Sequence, residues 1–468
     1  MTGFFTWLEL YYALEWIIRL SSLFYVPLRK TPAAAVSWLL LIAFLPVPGL
    51  FIFLAIGRTK TSTWRRDRFA AIAPDLHRLA AQLRQGIPAV GYTEQVAGLA
   101  EAIGHMPAVA GNSLELIADY EDLIRRLIAD IDDANRSVHL LAYIFADDQA
   151  GTMVIDALAR AAERGVSCRV LVDPVGSSRW FRRINQRLRA SGVNVRASMP
   201  LAPVYRWTRR DLRNHRKLYL IDGRIGYVGS QNLVDPDFIK GIVNTEIMAR
   251  VTGPAVASCE AVFASDWQIE TQESLAEAIK VPESTGKSVL QIMPSGPDYG
   301  DEGYRSLLLS LLYMARHHVR IVTPYLIPDD AVLAAFKALN QRGVEVELVI
   351  STVGDHPIVR LAQSSYYQEL AQAGVMLQVF AGGLLHAKTV TIDDHTAVIG
   401  SANLDIRSFV LNDEVSLIIY DRVSVQAVAS VLDEFVSKTV PFNMERWQQR
   451  GAVLRLAANV ARLASPVL

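Results

Sequence analysis

The chain has 468 residues, too many for one ordinary domain and enough for two or three. Lysine plus arginine and aspartate plus glutamate both number 47, so no bulk charge draws it to nucleic acid, and attraction to anions must come from local patches. Its two cysteines, Cys168 and Cys259, read as free thiols that cannot build a metal site, and its mean hydropathy of +0.22 reflects an apolar excess near the N-terminus.

Residues 4–26 are apolar and aromatic but carry Glu9, Glu15 and Arg19. Glu15 and Arg19 are four apart and would pair on one helix face. Residues 33–56 contain no charge over 24 positions, more than the roughly 20 that a helix needs to cross a bilayer. Pro46, Pro48 and Gly49 interrupt this run, as membrane helices tolerate. A transmembrane helical hairpin over residues 1–57 is therefore expected, the first helix spanning or lying in the interface. With no basic leader region and no small-residue cleavage site, a cleaved signal peptide is not expected. Arg29 and Lys30 lie between the segments. Arg58, Lys60, Arg65, Arg66 and Arg68 follow them, which by the positive-inside rule places the main body in the cytoplasm. Residues 58–110 read as a basic connecting segment.

From about residue 111 the chain repeats itself. VHLLAYIF (138–145), a helical stretch and ERGVSCRVLVD (163–173) are answered by VRIVTPYLI (319–327), a helical stretch and QRGVEVELVIS (341–351). SGVNVRA (191–197) and AGVMLQVF (373–380) continue the pattern. Strands alternating with helices imply parallel sheet covered by helices, in one domain over 111–275 and a second over 276–440. The first copy carries an insertion within 198–213, basic and aromatic, with Tyr205, Arg206, Trp207, Arg209 and Arg210 suited to a headgroup interface. The tail, 441–468, is a possible interfacial helix, although Arg446, Arg450, Arg455 and Arg462 do not fall on one face.

Each copy then carries one motif: HRKLYLIDGRIGYVGSQN and HAKTVTIDDHTAVIGSAN. His215/Lys217/Asp222 match His386/Lys388/Asp393. Ser230 and Asn232 match Ser401 and Asn403, and Asn244/Glu246 match Asn412/Glu414. On a strand, residues two apart share a face. These residue types suit phosphodiester transfer. The lysines and the Asn and Ser side chains stabilise charge on the non-bridging oxygens. One histidine attacks phosphorus while the other handles the proton of the leaving and entering alcohols, two jobs that one imidazole cannot do at once. A glutamate on the distal ring nitrogen would fix each tautomer. Lysine is a poor metal ligand and each motif offers one histidine, so neither metal nor cofactor is expected.

The paired motifs resemble the phospholipase D superfamily over roughly residues 111–440. VGSQNLVDPDF (228–238), SDWQIET (265–271) and GSANLDIRSFVLNDE (400–414) resemble its bacterial cardiolipin synthase branch. The resemblance implies an α/β fold of two phospholipase D-like α/β/α sandwich domains about a pseudo-dyad, with the site at the dyad. It implies phosphatidyl transfer between two phosphatidylglycerol molecules at the bacterial inner membrane, releasing glycerol, with no obligatory metal. It makes the sets His215/Lys217/Asp222 and His386/Lys388/Asp393 catalytic, with the aspartates usually structural rather than proton-transferring, Lys217/Asn232 and Lys388/Asn403 phosphate-binding, and Glu246 and Glu414 orienting. Hydrolytic phospholipase D and other phosphatidyltransferases share the motif. A non-enzymatic membrane scaffold would need neither complete set.

Overall fold

The computed structural model describes residues 2–30, 32–57, 61, 63–84, 91–200, 211–300, 302–354 and 357–463. Tyr205, Arg206, Trp207, Arg209 and Arg210 of the insertion, with Arg58 and Lys60, lie outside the described residues. The chain divides into two compact units. One holds residues of 1–66 together with Asp211 and Leu212. The other holds 67–200 and 213–468.

The first unit contains helices α1 (Thr2–Tyr25), α2 (Pro32–Phe44) and α3 (Pro46–Ile56). The uncharged run expected as one spanning helix is thus two short ones. Proline at 46 has no N–H to give and disfavours a helical Leu45, whose backbone sits at φ −130°, ψ 74°. Ile18, Val26, Ala35, Ile42 and Phe53 form a small core between the three helices. Among the described residues no helix is long and apolar enough to cross a membrane.

Among its described residues the second unit has eighteen strands, sixteen in one sheet and two in a separate pair. Its first half comprises β1 (Val109–Ile117), β2 (Ser137–Ala142), β3 (Ser167–Val172), β4 (Asn194–Ala197), β5 (Arg213–Asn214), β6 (Leu218–Ile221), β7 (Ile225–Gly229), β8 (Asn244–Thr245) and β9 (Met248–Thr252). The second half comprises β10 (Ser288–Ser295), β11 (His318–Thr323), β12 (Glu345–Ile350), β13 (Met376–Phe380), β14 (Leu384–Leu385), β15 (Thr389–Ile392), β16 (Thr396–Gly400), β17 (Asn412–Ile419) and β18 (Thr439–Pro441). The order runs β18-β13-β12-β11-β15-β16-β17-β10-β1-β9-β7-β6-β2-β3-β4. Read outward from the antiparallel β1–β10 contact, the two halves run through matching strands, as a pseudo-twofold between them requires, and β18 adds an edge strand to the second half alone. β2, β3 and β4 pair in parallel, as do β11, β12 and β13.

Local chemistry repeats with the topology. Asp148 and Asp329 cap the helices after β2 and β11 through the N–H groups of Gly151 and Val332. Gly165 and Gly343 end those helices at φ +85° and +75°, which a side chain would strain. β2 is buried along nearly its whole length, so both sheet faces are covered. Leu140 enters one core, while the His139 ring stacks on Phe263 of helix Ala255–Thr271 at 4.7 Å.

The tail departs from expectation. Residues 444–462 form two helices, Met444–Gln448 and Ala452–Arg462. Within the second, Arg455 and Arg462 are seven apart and so share a face, because the break removes Arg446 and Arg450 from the count. Arg462 turns inward, 3.0 Å from Glu369 and over the Tyr366 ring.

Candidate active site

Each motif lies where its half meets the other. The two-residue strand β5 pairs in parallel with the start of β17, and His215 N–H donates to the Asp413 carbonyl at 2.8 Å. In the mirror arrangement β14 pairs with β8, and His386 N–H donates to the Thr245 carbonyl at 2.8 Å. His215–Lys217 and His386–Lys388 therefore occupy the three-residue steps before β6 and β15 rather than regular strand. The chain has to cross from pairing with the other half to pairing within its own, and the ladder breaks there.

This crossing exchanges the glutamates. His215 Nδ1 stands 3.0 Å from Glu414 Oε2 and 3.1 Å from Oε1. His386 Nδ1 stands 2.7 Å from Glu246 Oε1. Each imidazole is thus oriented by the other repeat, a pairing that spacing along the chain does not reveal. With Nδ1–H donated to a carboxylate, the lone pair of the neutral ring is on Nε2.

The two carboxylates are held unequally. Glu414 also accepts from Ser401 and, at 3.0 Å, from Ser408. Glu246 has fewer close donors: His386 on Oε1, with the Ser230 hydroxyl and the Lys388 charge helping to hold the carboxyl down. Burial pushes the Glu414 carboxyl up, but His215, Lys217 and Ser401 together hold it down at about 2. Burial, reinforced by Lys217 and Lys388, lowers His215 to about 4 against the opposing pull of Glu414. His386 is lowered by the same combination. The His215 ring is therefore neutral at neutral pH.

Lys217 is fully buried, and burial followed by the neighbouring Lys388 charge lowers its pKa. Its ammonium donates to the carbonyl of His215 at 2.6 Å, and Lys388 donates likewise to His386 at 2.5 Å. Asn232 Oδ1 accepts the Ile144 N–H at 3.1 Å, leaving its NH2 group for a ligand. Asn232, Asn403 and both histidines line one cavity of about 140 Å³. That is below the roughly 300 Å³ of ordinary small-molecule pockets, so it has room for a small group only.

The structure sets the remaining motif residues apart from this cavity. Asp222 accepts the N–H groups of Asn135, Arg136 and Ser137, and Asp393 those of Arg316, His317 and His318. Both adopt positive φ and brace the turns that enter β2 and β11. The serines, expected among the phosphate ligands, are spent elsewhere. Ser230 Oγ donates to the Ile247 carbonyl at 3.0 Å, and Ser401 holds Glu414. The physical reason is their place in the step from β7 or β16 to the motif asparagine, which turns each hydroxyl toward the adjacent strand.

Sequence reasoning missed Arg213, Asp405 and Arg407, which also line the cavity. Burial raises Asp405 to about 6. Asp405 and Arg407 lie inside the GSANLDIRSFVLNDE stretch and were legible there as chemistry-bearing types. Tyr143 and Tyr325 turn ring edges to His215 and His386, with centroids 4.8 and 6.3 Å apart. A larger groove of about 800 Å³ lies along Arg136, Arg169 and Asp222, away from both histidines.

The family model described as cardiolipin synthase, phospholipase D-like domain, matches residues 127–267 and 308–436, covering both histidine motifs. The chain belongs to the cardiolipin synthase family. Cardiolipin synthase A of Yersinia pseudotuberculosis (serotype O:1b, strain IP 31758) is 33% identical over 457 residues, 94% of either chain. Cardiolipin synthase A of Yersinia pestis is similar to the same extent. Among solved structures, phosphatidylserine synthase of Haemophilus influenzae Rd KW20 superposes with a TM-score of 0.62 at 13% identity, over 81% of this chain and 100% of that one. The two-copy sheet is thus the fold of a solved phospholipid enzyme as well as of this family.

Proposed function

We propose that the protein is a cardiolipin synthase, a phosphatidyltransferase that joins two phosphatidylglycerol molecules and releases glycerol. The observation that carries this reading is the crossed pair of His–Glu couples beside one small cavity, in a chain similar along nearly its whole length to cardiolipin synthases. His215 Nε2 attacks the phosphorus of the first phosphatidylglycerol. The bond from phosphorus to the terminal glycerol oxygen breaks, and His386 Nε2–H gives that oxygen its proton, leaving a phosphatidyl–histidine. The glycerol hydroxyl of a second phosphatidylglycerol then surrenders its proton to His386 and attacks phosphorus. The P–N bond breaks, and cardiolipin leaves.

The unequal carboxylates support this division of labour. Glu414, gripped by several donors, suits a ring that must keep one pose as nucleophile. Glu246 raises the proton affinity of His386 against its burial, and bound diester charge raises it further, which suits the ring that must carry a second proton. Lys217, Lys388, Asn232 and Asn403 stabilise the equatorial oxygens. We assign Asp222, Asp393, Ser230 and Ser401 to holding the site's backbone and glutamate. The exposed apolar helices of the first unit and the basic residues around them support attachment to the bacterial inner membrane with the body on the cytoplasmic side.

Purified full-length enzyme given phosphatidylglycerol alone should yield cardiolipin and glycerol on thin-layer analysis. Phosphatidic acid as the only lipid product would replace transfer by hydrolysis.

A further inference from the structure

The uncharged run 33–56 is folded back on itself. A Cβ built on Gly49 of α3 would stand 3.0 Å from the Cα of Ile42 on α2, seven residues earlier in the chain. In a continuous helix these residues would be about 10 Å apart along the axis. The rings of Trp38 and Phe53, fifteen positions apart, meet edge to face at 5.2 Å. α2 and α3 are therefore the arms of a helical hairpin whose tip is Leu45–Pro46. Gly49 is the position that lets the arms approach, since a Cβ there would stand 3.0 Å from backbone atoms of α2, tighter than ordinary packing.

The arms have 13 and 11 residues. At about 1.5 Å per residue they reach about 20 and 16 Å, short of the roughly 30 Å of bilayer hydrocarbon. Their outer faces are apolar and bare: Val36 is 58% exposed, Phe44 81%, Leu45 50% at the tip, and Phe51 69%. Water is a poor medium for such a surface. Near the tip, Arg19 of α1 donates through Nε to the Ala43 carbonyl at 3.1 Å, and its Nη2 is 3.2 Å from Glu15. A carbonyl freed by a helix break in water needs no such partner. One in hydrocarbon does, and the arginine that serves it needs a counter-charge. The open end is different in character. Arg29 and Lys30 precede one arm, and Arg58 and Lys60 follow the other.

We infer that residues 32–56 are a re-entrant hairpin that enters one lipid leaflet and returns to the same side. The hairpin's occupant is the acyl layer of an anionic phospholipid membrane. This deepens the membrane reading above and rests on it. It replaces the two-crossing arrangement with one in which the uncharged run makes no crossing.

The test uses single cysteines in the full-length enzyme, whose own Cys168 and Cys259 are buried. Arg29→Cys and Thr63→Cys flank the hairpin, and Leu45→Cys marks the tip. Each variant is expressed in cells and probed with a membrane-impermeant maleimide, in sealed right-side-out and inverted vesicles, with transferase activity as the control for folding. Arg29→Cys and Thr63→Cys should label in the same vesicle orientation, and Leu45→Cys in neither. Labelling of the two flanks in opposite orientations would establish a crossing and overturn the inference while leaving membrane attachment standing. Labelling of Leu45→Cys from the side opposite the flanks would overturn it equally. Recovery of the protein in the soluble fraction at low salt would overturn both the hairpin and the membrane reading on which it rests.

Discussion

At the scale of single residues, the chemistry turns on which carboxylate serves which imidazole. Glu414→Gln should disable His215, and Glu246→Gln should disable His386, each costing about 10²–10⁴-fold in transfer, the range of a lost acid–base contribution. A double-mutant cycle separates them. Glu246→Gln should add little to His386→Ala, whereas Glu414→Gln should cost further in the same background. With a substrate carrying a good leaving group, His386→Asn should accumulate a phosphoenzyme on His215, read by mass spectrometry. Label on His386 in a His215 variant would reverse the roles. The pH dependence follows from burial. The His215 ring stays neutral until about 4 in the fold, while an ordinary imidazole takes up its proton near 6.5. The acid limb of kcat/KM set by the nucleophile should therefore fall near pH 4. In the window between, the unfolded chain binds a proton that the folded one refuses, so stability decreases as pH falls through it. A thermal midpoint that drops from pH 7 toward pH 4 would register this.

At the scale of elements, the two halves are held by a buried ion network centred on an arginine that the first motif alone carries. Arg216 has no exposed surface and pairs with Asp266 of its own half. It reaches Asp413 at 3.7 Å, the Ser295 carbonyl at 3.1 Å and the Glu414 carbonyl at 3.0 Å in the other half. The matching position of the second motif is Ala387. Removing one partner of such a network strands the rest, so Arg216→Ala should cost about 3–5 kcal/mol in a denaturation measurement. Substitution of the Asp222 or Asp393 side chain by Ala leaves three backbone donors without their acceptor. Either variant should lose stability while retaining measurable transfer, in contrast to the histidine variants. The motif's regular spacing made these aspartates legible as a recurring feature. The family resemblance gave them a structural role, but not the loops they brace, which lie more than 70 residues away.

At the scale of the whole molecule, the complete histidine–glutamate site belongs to the second unit. Deleting residues 1–57 should leave transfer measurable on detergent-dispersed phosphatidylglycerol while weakening attachment to membranes. Persistence of the truncated protein in membranes after high salt and alkaline carbonate would point to another anchor. Charge stabilisation by the lysines and asparagines predicts turnover in the presence of excess EDTA. Complete loss restored by one divalent ion would contradict it.

The sequence by itself determined the doubling of the site. Periodicity placed the strands within a few residues, because apolar runs and Gly-Val junctions are local signals that burial and turn geometry enforce wherever the strand lies. The recurrence of histidine, lysine and asparagine at equal spacing named the chemistry. Only the tertiary structure decided that each histidine takes its glutamate from the opposite repeat, that Ser401 serves Glu414, and that the uncharged run 33–56 doubles back at Leu45. The first two depend on contacts between segments 140 and 199 residues apart for the histidines, and on strand register for the serine. The last depends on whether Gly49 meets solvent or the backbone of α2, and hydropathy alone does not distinguish a long helix from a folded one.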